Sequence, residues 1–229
     1  MEVISGIVTA SGSNDTQSQK ITKGQGVPFD RSGKALPVEK LLAAPVFERA
    51  EMLNRDKSSY KLKLAGRPQA SRYIAISASS ANMLGEQTSQ TLSAPEVVAY
   101  NLTQQAAFYQ FASVSNSGLV GSSNQYGFCA VIGDTKAGRC RALFEAPLAE
   151  GSLISFSLTR HAQGTTQELV STKKLQAKNG RFSIEGLPAG HYTWDMSYAT
   201  VQSSMGQPNN DARLTKQSGS FDLIAVSAQ

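Results

Sequence analysis

Asn179-Gly180-Arg181-Phe182-Ser183-Ile184-Glu185-Gly186-Leu187-Pro188-Ala189-Gly190-His191-Tyr192-Thr193-Trp194 decides the fold class of this chain. It reads as a short strand, a tight Gly-Leu-Pro-Ala-Gly turn and a long strand. Phe182 and Ile184 alternate with polar residues before the turn, and Tyr192, Trp194, Met196 and Tyr198 do so after it. A period of two places the four residues after the turn on one sheet face. Gly186 and Gly190 supply positive φ for the turn, and Pro188 fixes one of its dihedrals. Aromatics at strand spacing are core residues in a sandwich, because one face of each sheet must be buried. Tyr192, Trp194 and Tyr198 are therefore expected in the core. A sugar-stacking platform is the competing use of the same ladder.

The strand rhythm extends in both directions. Ile154, Phe156 and Leu158 alternate inward over 153–159, 168–175 is a further strand, and 221–226 is the last. A composition shift near 146–151 suggests a boundary, with a β-rich unit over 1–147 and a small sandwich over 148–229. In the first unit, residues 3–9, 60–64, 73–77, 97–102 and 106–114 read as strands. The Ser- and Gln-rich stretches 79–93 and 113–124 read as connectors. Residues 38–42 and 45–55 read as helical, because Pro45 suits a first turn and Val46, Ala50 and Leu53 share one helical face. No repeat of fixed period is visible. The expectation is an all-β protein of two sandwich-like parts, with a short helical insertion near 38–55.

With its core Asn-Gly-Arg-Phe-Ser-Ile-Glu-Gly-Leu-Pro-Ala-Gly-His-Tyr, the stretch 175–194 resembles the G-x-F-x-I-x-G-L-P-x-G-x-Y pattern of transthyretin-like sandwich domains. These include the carboxypeptidase regulatory-like and collagen-adhesin B-type repeats. The resemblance covers the last third of the chain and implies a seven-stranded, Ig-like sandwich used as a stalk, spacer or adhesion module. The Lys, Asn and acid of the isopeptide crosslink found in some relatives match no positions here, so none is expected.

Cys129 and Cys140 bracket a turn-like segment, and the strands on either side read as a hairpin that brings the two thiols face to face. A disulfide between them is the expectation, with two buried thiols in a reducing compartment as the alternative.

Little else carries chemistry. Charged residues are 17% of the chain, below the usual roughly one quarter, and the +5 net charge is scattered. Lys57 to Lys63 alternates with apolar residues, and Lys173, Lys174 and Lys178 lack interleaved aromatics, so nucleic acid is not an expected partner. No apolar run is long enough to span a membrane. The first residues lack a signal-peptide pattern. That fits either a virion component assembled in the cytoplasm or an exported protein whose signal has been removed. The only histidines are His161 and His191. Neither adjoins a nucleophile motif, and both read as solvated strand residues. Cys129, Cys140, His161 and His191 lack the close ligand spacing of structural zinc, so no metal or cofactor is expected. Glu48 and Glu51 read as helix-surface residues, and Asp195 lies on the outward strand face.

The sequence thus points to a non-catalytic structural or interaction component of an extracellular, surface or virion assembly. It would dock protein partners or further copies of itself through sheet edges and loops, as adhesion modules do. A carbohydrate- or receptor-binding module is the alternative, and an enzyme of unrecognised type the third reading.

Overall fold

Pairing between strands, rather than helix propensity, organises the described residues. The computed structural model describes residues 7–10, 19–55, 57–131, 139–148, 153–161, 167–176, 180–201 and 212–227, and every regular element among them is a strand. The first pairs are small: β1 (Ile7–Ala10) with β2 (Gln19–Thr22), then β3 (Gln25–Gly26) with β4 (Glu39–Lys40). Ile21, Val27 and Ala35 make a minor core beside them.

A first sandwich follows from β5 (Val46–Asn54), β6 (Ser59–Ala65), β7 (Ala70–Ala78), β8 (Gln87–Leu92), β9 (Glu96–Ala99), β10 (Ala107–Ser115) and β11 (Val120–Val131). One sheet is ordered β5-β6-β9, and the facing strands are ordered β8-β7-β10-β11. Alternation on β6 turns Tyr60, Leu62 and Leu64 inward against Tyr109, Phe111, Tyr126 and Phe128, while Lys61 and Lys63 stay partly exposed.

The helical insertion expected near 38–55 is not found: Val46–Asn54 is β5 and Glu39–Lys40 is β4. Two register shifts on β5, at Phe47/Arg49 and Met52/Asn54, break the two-residue period. An irregular strand of this kind produces apolar spacings that mimic a helix. Of the supposed helical face, Val46 and Leu53 are exposed and only Ala50 packs on the core, where Phe47 and Met52 join it. Ladder bonds to β6 and burial of Phe47 and Met52 outweigh local propensity. A second correction concerns the two stretches read as connectors: 79–93 contains β8, and 113–124 contains the end of β10 and the start of β11.

The second set comprises β12 (Cys140–Glu145), β13 (Leu153–His161), β14 (Gln167–Gln176), β15 (Arg181–Leu187), β16 (Gly190–Val201) and β17 (Ala212–Ser227). β12 pairs with β15, and the facing strands run β14-β13-β16-β17. Both halves thus repeat the B–E and C′–C–F–G pairings of immunoglobulin-type sandwiches. This repeat lies in pairing order, not in sequence period. β17 also pairs in parallel with β11, from Tyr126↔Asp222 to Val131↔Ser227, which fuses the two larger sheets into one of eight strands. The free edge of β12 is taken up by the first half. Arg141 N–H donates to Gln104 O, Ala106 N–H to Arg141 O and Ala81 N–H to Leu143 O, at 2.7–2.9 Å.

Cys129 and Cys140 form a disulfide with Cα atoms 6.0 Å apart. They do not sit on one hairpin, as the sequence suggested. β11 lies between β10 and β17, while β12 belongs to the facing sheet, so the bond joins two layers. Phe144 is the hub of the core around it, in ring contact with Phe156, Phe182, Trp194 and Phe221.

The Leu187-to-Gly190 turn carries the chain from one sheet to the other. Gly186 has φ 73° and Gly190 φ 155°. Tyr192 closes the arch by donating its hydroxyl to Pro188 O at 2.7 Å, the geometry of a tyrosine corner. A Cβ on Gly190 would lie 2.9 Å from Arg160 Nε. Gly190→Val is therefore expected to cost about 1–3 kcal/mol for the backbone strain. An unchanged urea midpoint would refute the strained turn.

Candidate functional site

The aromatic ladder lies under the sheet: Tyr192, Trp194, Met196 and Tyr198 are all buried. Tyr198 accepts a hydrogen bond from Gln217 Nε2 at 3.1 Å, and burial pushes its hydroxyl pKa up. On the opposite face of β13, β16 and β17, Ser155, Ser157, Asp195, Ser197, Lys216 and Ser218 line a shallow polar depression.

One end of this polar face holds a row that sequence spacing conceals. His161 on β13 is the direct cross-strand partner of His191 on β16, and His191 is that of Asp222 on β17. His191 Nδ1 lies 2.7 Å from Asp222 Oδ1. A carboxylate only accepts, so Nδ1 carries the hydrogen and the neutral ring keeps its lone pair on Nε2. His161 Nε2 lies 2.9 Å from Thr193 Oγ1, and the two imidazole centres are 5.4 Å apart. Thirty residues separate the histidines in the chain, so only strand pairing reveals the cluster.

The ends of the eight-stranded sheet differ sharply. At one end, β14 carries Glu168, Lys173 and Lys174 in its sequence. At the other, β8 reads Gln87-Thr88-Ser89-Gln90-Thr91-Leu92, with no charge and no proline. Its first five residues are exposed. It follows β7 without a register shift, from Tyr73↔Leu92 to Ala78↔Gln87. Among the described residues no strand pairs with its other side. Charge, proline and bulges are the usual protections of an edge, and β8 has none of them.

A third feature is an open groove of about 800 Å³ between the first small hairpins and the sheet. Leu41, Leu42 and Pro68 contribute apolar walls, and Lys23, Lys40 and Arg67 are its ionisable residues. Arg67 is anchored there, donating from Nε and Nη2 to Ala44 O at 3.1 and 2.6 Å. Ser122 N–H donates to Leu42 O at 3.0 Å and so fixes the groove wall to β11.

Comparison with known proteins adds little. No family model matches the sequence, and no curated protein matches it. Among solved structures, the crystal structure of the FN1–FN3 domains of chicken CNTN1 aligns over 94% of this chain and 76% of that one, at 11% identity and a TM-score of 0.29.

Proposed function

We propose that this chain is a non-catalytic structural or interaction component of a surface, extracellular or virion assembly, and that it docks by strand addition at β8. The unguarded, uncharged edge carries this reading. An edge with free N–H and C=O groups accepts an extended segment, and an unbroken strand register offers it a regular template. The disulfide supports an oxidising destination. The likeness of 175–194 to transthyretin-like spacer modules supports a building-block role for the C-terminal part.

Lysines placed at Thr88 and Gln90 test the edge. The wild-type chain is expected to be recovered from its native source in an assembly well above 24.4 kDa, with β8 amides protected from hydrogen exchange. The doubly substituted chain should stay folded, remain at the monomer mass and lose that protection. Recovery of the wild type as a monomer, or assembly indifferent to the lysines, would remove β8 as the docking edge.

The cationic groove favours the second reading, a receptor-binding module for an acidic partner. In that case Lys40→Glu, rather than the β8 lysines, would abolish partner binding.

A further inference from the structure

We propose that His161 and His191 together bind a transition-metal ion of zinc type on the outer face of the C-terminal half. The two histidines are the only ones in the chain, and the fold places them side by side on adjacent strands. Each ring uses one nitrogen in a hydrogen bond, His161 Nε2 with Thr193 and His191 Nδ1 with Asp222. The other nitrogen of each ring has no partner among the described residues. His191 in particular has the second-sphere arrangement typical of metal-binding imidazoles, in which a carboxylate accepts the far N–H, orients the ring and raises its basicity.

The spacing fits one ion. With metal–nitrogen bonds of about 2.0–2.1 Å, two imidazoles on a tetrahedral ion have ring centres about 5 Å apart. The centres here are 5.4 Å apart, close to that separation. No group of three His, Cys, Asp or Glu side chains is placed to hold a metal among the described residues, so the chain supplies two nitrogen donors and water fills the other positions. Imidazole donors suit zinc, copper and nickel and disfavour magnesium and calcium. The side chains of His191 and Asp222 are nearly half exposed, so an ion reaches them without any opening of the fold. The cysteines take no part, because both are in the disulfide.

The scarcity of histidine makes the test direct. Zinc chloride titrated into 15N-labelled full-length protein is followed by imidazole NMR and by calorimetry. Both rings are expected to respond in a single saturable step of one ion per chain, reversed by chelator. His161→Gln and His191→Gln should each weaken binding by about tenfold or more, and Asp222→Asn by roughly ten- to a hundredfold through the lost orientation of His191. Trp194 fluorescence, which reports the buried face of the same sheet, should be unchanged in all three and so confirm that they fold. Calcium should produce no response. If the two rings titrate at different zinc concentrations, if either glutamine variant binds as the wild type does, or if millimolar zinc moves neither ring, the proposal falls.

Discussion

Trp194→Ala is expected to destabilise the protein by about 3–5 kcal/mol, the usual cost of emptying a large aromatic site in a packed core. Trp194 is 6% exposed and packs edge-on against Phe144 at 5.8 Å between ring centres. Across the strand pair its register partner is Gly219, where a Cβ would come within 2.8 Å of the indole. The glycine leaves room for the ring, and the ring covers the glycine. Removing the indole therefore opens a void opposite a residue that has no side chain to fill it. Urea unfolding followed by far-ultraviolet dichroism measures the loss. In the wild type, iodide should scarcely quench this lone tryptophan. Ready quenching together with an unshifted midpoint for the alanine variant would mean that the ladder faces solvent and serves a ligand.

Reduction of the Cys129–Cys140 bond is expected to cost roughly 2–3 kcal/mol, as the loop-entropy model gives for a bridge of this span. For a chain of this length that corresponds to a melting temperature lower by about 4–12 °C. Two features argue that the effect will not be smaller. Cys129 and Cys140 are both buried in the shared core, and the bridge spans two layers that the backbone ladder does not connect. Thiol titration of unreduced protein should find no free cysteine, and the melt should shift on adding reductant. Two titratable thiols in protein from its native compartment would contradict both the bond and an oxidising destination.

How far the sequence revealed these features depended on whether a strand had one dry face. β16 was legible because its polar and aromatic residues alternate without interruption and a glycine–proline turn precedes it. β5 was not, because two register shifts redistribute its apolar residues into a helical spacing. β8 was illegible for a different reason. Its first five residues are exposed on both faces, so polar Gln, Thr and Ser residues leave no apolar signal to count. The pairing of β12 with β15 joins Glu145 to Arg181 and Cys140 to Leu187, residues 36 and 47 apart. The histidine row likewise spans three strands and depends on long-range register. Neither local composition nor motif spacing encodes such contacts. The absence of a repeat in the sequence similarly hid a duplicated strand order, since pairing order can persist where side chains do not.

The parallel seam between β17 and β11 bears on how the chain is made. A ribosome emits β11 about midway and β17 after every other described strand, yet β17 sits between β16 and β11 in the middle of the widest sheet. Until Ala212–Ser227 has emerged, both neighbours expose unpaired backbone. The nascent chain therefore passes through a stage with two adhesive edges facing an empty slot wide enough for one strand. Vectorial folding of the first half cannot close that slot, and premature termination before residue 212 would leave it open permanently. Pairing of this kind, between distant parts of the chain, is slow to form and prone to capture by other chains. Material that stops before residue 212 is therefore expected to aggregate rather than persist as a smaller domain.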